Sequence, residues 1–125
     1  MKTAAPVARP DAGAVLTKAT IRAGAMLGLN GAALGKVLGL SEATISRMHR
    51  GDRALDPHSK EGELAALLIR LFRSLDALVG NDSERRMQWL SSYNHAFHAV
   101  PRDFVQSAQG LVRAVTYLDS MRATV

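Results

Sequence analysis

Gly31-Ala32-Ala33-Leu34-Gly35-Lys36-Val37-Leu38-Gly39-Leu40-Ser41-Glu42-Ala43-Thr44-Ile45-Ser46-Arg47-Met48-His49-Arg50 is the stretch on which the fold turns. Two short helical patterns meet in it. Asn30 is a good cap for the first, over residues 32–38, and Gly39 stops it. Ser41 caps the second, which carries Glu42, Ala43 and Thr44 in its first turn and ends at Gly51. With the bend at Gly39, Leu34 and Leu38 from the first helix, Leu40 from the turn, and Ile45 and Met48 from the second all face one interior. Gly35 falls where the two helices approach and only a small residue fits. Gly39 can take the left-handed conformation that a sharp turn needs.

If Ile45 and Met48 point inward, then Ser41, Glu42, Ala43, Ser46, Arg47 and Arg50 point outward. This is the pattern of a helix-turn-helix whose second helix meets base edges and phosphates in double-stranded DNA. Arg47 is the candidate for a bidentate guanine contact, and Ser41 and Thr44 near the helix start are candidates for phosphate. Arg50 and Arg53 extend the basic edge. The competing reading is a solvated amphipathic hairpin, and charge placement weighs against it. Residues 1–60 hold nine Lys or Arg against four acids, which is the whole net charge of +5, whereas residues 61–125 hold seven of each. A polyanion is the expected partner of the first half, and something else of the second.

Working outward, residues 1–10 contain Pro6 and Pro10 among small residues and read as a flexible tail. A helix starts at Asp11, with Val15, Ala19, Arg22 and Met26 at helical spacing, Leu16, Ala23 and Leu27 widening its face, and Gly28 as its stop. Residues 51–57 are polar and turn-rich and mark a boundary. Ser59 or Glu61 opens the longest helix, whose apolar stripe over 64–79 runs through Leu64, Leu67, Leu68, Leu71, Leu75 and Leu78. Asp82 or Ser83 caps a short helix carrying Met87, Trp89 and Leu90. Residues 91–100 are irregular, Pro101 opens a helix over 102–107, Gly110 breaks it, and a last helix covers 111–121. No strand alternation appears. The expectation is an all-α chain: a flexible tail (1–10), a DNA-binding helix-turn-helix domain (11–58) and a helical C-terminal domain (59–125).

Aromatic residues are few, one Trp, two Tyr and three Phe, so the core is aliphatic. Cysteine is absent, which removes disulfides and thiolate chemistry and fits a reducing cytoplasm. The stripe at 64–79 is interrupted by Arg70, Arg73 and Asp76 and is too short to span a bilayer, so no membrane role is expected. His95 and His98 stand three apart, but only Asp103 is near them as a further ligand type, so no metal site is expected. Asp103 and Asp119 form no evident acid–base pair, and no nucleophile has a base beside it. Neither an enzyme nor a cofactor is expected.

In the second half, Met87-Gln88-Trp89-Leu90, Asn94-His95-Ala96-Phe97, Pro101, Gly110-Leu111-Val112 and Tyr117-Leu118-Asp119 follow one another in an order and spacing that resembles the toxin-binding domain of Xre/MbcA/ParS-type antitoxins. The upstream helix-turn-helix extends the resemblance over nearly the whole chain. His95 stands where that pattern has Pro, His98-Ala99 where it has a glycine pair, and Val100 where it has Thr. The resemblance implies an antitoxin of a RES–Xre system. Its partner would be a RES-domain toxin that consumes NAD, neutralised when the C-terminal domain covers the cofactor pocket. It also implies a homodimer that represses its own operon. Phe97, Phe104, Tyr117 and Leu118 are candidate anchors for the toxin, and Arg102, Arg113, Arg122 and the chain end at Val125 are candidates to enter an acidic pocket. The alternatives are a stand-alone dimeric repressor with a C-terminal dimerisation or ligand-sensing domain, and a nucleoid-type DNA-binding protein with little sequence preference.

Overall fold

Side-chain caps open five of the helices in the computed structural model, which describes residues 11–123. The helices are α1 (Ala12–Met26), α2 (Gly31–Leu38), α3 (Glu42–His49), α4 (Lys60–Leu78), α5 (Ser83–Ser91), α6 (Pro101–Phe104) and α7 (Ala108–Ala123). Asp11, Asn30, Ser41, Ser59 and Asp82 each accept a hydrogen bond from a first-turn backbone N–H that has no intrahelical partner. Among the described residues no strand forms, and an isolated antiparallel bridge joins Asn94 to Ala99. The all-α expectation holds. The tail at 1–10 and the chain end at Val125 lie outside the described residues.

α4 is the shared wall of the molecule. It packs against α1 and α2 on one side and against α7 on the other. Leu68, Leu71 and Leu75 on its inner stripe are fully buried, each contributing about 2 kcal/mol over an exposed leucine. On its flank Arg70 pairs with Asp119 of α7, and buried Ser74 donates to the same carboxylate at 3.1 Å. One hydrophobic core therefore runs from Leu27 through α4 to Leu118.

Three sequence expectations change. First, the buried face of α1 runs through Thr17, Thr20, Ala23 and Gly24, whereas Val15 and Arg22 face outward. The hydroxyls can enter the core because each donates to a carbonyl one turn back, Thr17 to Gly13 and Thr20 to Leu16, both at 2.7 Å. Thr17 Oγ1 also accepts from the Leu55 N–H at 2.8 Å, which holds the 51–59 loop to α1. Second, Gly110 does not break a helix. It lies inside α7 with its Cα against the Phe104 carbonyl, so close that no Cβ fits. That contact, rather than chain flexibility, is what the glycine serves. Third, α6 stops at Phe104 and α7 begins at Ala108, with the Ser107 hydroxyl accepting from the Gly110 N–H at 3.0 Å.

Candidate nucleic-acid interface and partner face

The bend between α2 and α3 has the expected construction. Gly39 is left-handed, with φ 72° and ψ 33°, and Ser41 Oγ accepts from the Thr44 N–H at 3.1 Å. Leu34, Leu38, Ile45 and Met48 are almost wholly buried and hold the two helices together. Gly35 is required by its neighbour: a Cβ there would stand 2.5 Å from the Leu40 carbonyl oxygen.

This packing fixes what α3 presents. Ser41, Glu42, Ala43, Ser46, Arg47 and Arg50 are exposed and Thr44 is half-buried, its hydroxyl 2.9 Å from that of Ser41. No described residue pairs with Arg47. Arg50 Nε lies 3.3 Å from Asp52 in a pair that is about two-thirds exposed on both sides; such a pair adds little stability but orients the guanidinium. Arg53 is different. Its terminal nitrogens contact Glu61 at 3.0 and 3.3 Å and the Ala54 carbonyl at 3.1 Å. The expectation that Arg53 extends the free basic edge is therefore corrected: with both ends committed, it clamps the 51–59 loop to α4.

The C-terminal half is built around a loop. Asn94 exchanges backbone hydrogen bonds with Ala99, and its side chain accepts from the Ala96 N–H at 2.8 Å. Phe97, thus positioned, is the hub of an aromatic cluster. It stacks on Phe104 at 4.8 Å and meets Tyr117 and Trp89 edge-on at 5.1 and 6.0 Å. Phe97 and Leu118 are buried and offer no area to a partner, which corrects their reading as anchors. Phe104 and Tyr117 are half-buried. Arg113, exposed, lies 5.5 Å above the Phe104 ring and donates to the Ala96 carbonyl at 3.4 Å. Arg122 is exposed, with a terminal nitrogen 3.3 Å from the Ser74 hydroxyl. Arg102 is half-buried against Gly28, at the left-handed end of α1, and its Nε is buried with no partner among the described residues. His98 takes the left-handed conformation, φ 53°, where the antitoxin pattern has glycine. Val100 sits at the N-cap of α6 without a side-chain hydrogen bond.

Sequence reasoning missed Arg86. It is 4% exposed and reaches across the molecule: Nε donates to the Met26 carbonyl at 3.0 Å, one terminal nitrogen to Asp76 at 2.8 Å, and the guanidinium faces the Phe72 ring at 5.7 Å. A single arginine thus ties the end of α1 to α4 and α5. Nothing in the run Glu84-Arg85-Arg86-Met87 separates it from its exposed neighbour Arg85 except helical phase, which puts Arg86 four residues before buried Leu90.

No helix of the described residues is long and apolar enough to cross a membrane. A search among curated proteins returns no match. Two family models match. The antitoxin Xre-like helix-turn-helix domain matches residues 6–70, and the antitoxin Xre/MbcA/ParS C-terminal toxin-binding domain matches residues 74–123. The two matches meet inside α4, the helix that both halves share. The first match spans the bend at Gly39 and the outward face of α3, the second the Asn94–Ala99 loop with α6 and α7, and the chain belongs to the Xre/MbcA/ParS antitoxin family.

Proposed function

We propose that this antitoxin neutralises a RES-type toxin, an enzyme that consumes NAD, by laying its α6–α7 surface over the toxin's cofactor pocket in the cytoplasm. The observation that carries the reading is Arg113 held over the Phe104 ring, which itself stacks on Phe97. A guanidinium fixed on aromatic rings loses little freedom when it meets a carboxylate, and anchors of this type dominate protein interfaces. Arg102, Arg122 and Val125 are further candidates for the toxin contact.

The second part of the proposal is autorepression. Glu42, Ala43, Ser46 and Arg47 face base edges in the operon's own promoter, Ser41 and Thr44 face phosphate, and Arg50 continues the basic edge. One short helix covers only a half-site, so the repressor is a homodimer. No residue is assigned a catalytic role or a cofactor.

Co-expression with the adjacent reading frame tests the toxin role. Rescue from that gene's toxicity, with NAD levels restored, is the expected result; a harmless neighbour, or toxicity that persists, contradicts it. A ligand-sensing repressor draws on a different observation, an open groove of about 640 Å³ between α1 and α4 floored by Met26, Ile69 and Phe72. It predicts a small molecule that changes operator affinity without any toxin.

A further inference from the structure

Beside α3 lies a cleft of about 470 Å³, formed by one side of α1 and the C-terminal turn of α3 with the loop that follows. Ala14, Ile21 and Met48 form an apolar floor, and Lys18, His49 and Arg50 stand on the rim. No acid lines it. Lys18 is exposed and pairs with no described residue. Arg50 is oriented through its Nε by Asp52, while its terminal nitrogens are uncommitted among the described residues. The third arginine of the region, Arg53, is spent on Glu61.

A cationic rim over an apolar floor matches one chemistry closely, the alternation of phosphate and deoxyribose along a nucleic-acid strand. The cleft is open, and it lacks the aromatic wall or converging acceptors that would enclose and read a base. Its place also matters. Arg50 follows Arg47 by one helical turn, so the cleft continues the line of the exposed α3 face. The geometry points to this cleft as the seat of the operator's sugar–phosphate backbone just outside the bases that α3 reads. Lys18 of α1 and Arg50 are the phosphate ligands, and the deoxyribose lies over Ala14 and Ile21. The inference rests on the DNA-reading role of α3 and adds a contact from α1 that neither the motif nor the charge count assigns.

The test uses the full chain and two duplexes, the sequence upstream of its own gene and a scrambled one, with affinity measured across a salt series. Lys18→Ala, an exposed position whose loss leaves the helical circular dichroism unchanged, weakens binding to both duplexes alike by about 3–10-fold. It also lowers the slope of log Kd against log salt by about 1. Lys18→Arg restores both, and Lys18→Ala removes hydroxyl-radical protection of sugars flanking the site. Arg47→Ala instead removes the preference between duplexes. If Arg47→Ala does so but Lys18→Ala leaves slope and footprint unchanged, the cleft assignment is overturned and the DNA reading stands. If Lys18→Ala has that null result while a free mononucleotide at millimolar concentration perturbs the Ala14 and Ile21 methyl resonances, the cleft serves a free phosphate compound, and the assignment to the operator strand is likewise overturned. Failure to bind either duplex, or a preference that survives Arg47→Ala, overturns the parent reading together with this one.

Discussion

Leu40 and Gly35 are locked face to face across the bend: the Leu40 N–H donates to the Gly35 carbonyl at 2.8 Å, and the Leu40 carbonyl lies 2.5 Å from the point a Gly35 Cβ would occupy. An alanine here gains helix propensity, about 1 kcal/mol, but must push a backbone oxygen rather than a flexible side chain. Gly35→Ala is therefore expected to lower stability by about 1–3 kcal/mol and to open the angle between α2 and α3. Urea denaturation checks the first effect and loss of operator affinity the second.

Arg86 gives a larger effect. Arg86→Ala strips a partner from Asp76 and from the Met26 carbonyl inside the junction of α1, α4 and α5. Breaking a buried pair from one side costs about 3–5 kcal/mol; Asp76 keeps some solvent access, so the expected loss is near the lower figure. Because Arg86 joins the two halves, thermal melts followed by near-UV and far-UV signals should shift downward together.

The loop departs from the family pattern at two places that can be repaired. His98 is left-handed, a conformation that costs a residue with a Cβ about 1 kcal/mol, so His98→Gly is expected to stabilise by up to that amount. Val100→Thr supplies the missing cap of α6 and adds about 1 kcal/mol. Chemical denaturation of each variant measures both, and neither should change operator binding.

What could be read in the sequence follows from the range of the interactions. The α2–α3 unit was legible because every constraint on it is local: Asn30 and Ser41 cap, Gly39 bends, and Leu34, Leu38, Ile45 and Met48 face one another within twenty residues. Its exposed face followed from the same phase. α1 was misread because Thr17 and Thr20 hide their hydroxyls in backbone bonds and so behave as core residues, which a polarity pattern does not register. Gly110 was misread because what it accommodates, the Phe104 carbonyl, belongs to another helix. Phe97 and Arg86 act through contacts with Tyr117, Phe104, Asp76 and Met26, set by the way α4 brings the halves together. The free or committed state of Arg47 and Arg53 was equally hidden, since it depends on Glu61 lying beside only one of them.

Replacing Arg113 is expected to separate toxin binding from folding. Its side chain is exposed and makes one long hydrogen bond and one solvent-exposed contact with the Phe104 ring, so Arg113→Ala should keep the melting temperature within about 2–4 °C. If Arg113 is the anchor proposed above, its loss weakens binding of the cognate toxin by about 10–100-fold, read by calorimetry, while operator affinity of the free antitoxin stays the same.

In the proposed function α3 reads DNA through Arg47, an arginine that no described residue holds back. The direct measurement is the ratio of affinities of wild type and Arg47→Ala for the upstream duplex and a scrambled duplex at one fixed salt concentration. The expected result is a variant that folds normally yet loses about 1–3 kcal/mol of discrimination, its two affinities converging. A variant that keeps the full wild-type ratio contradicts the account.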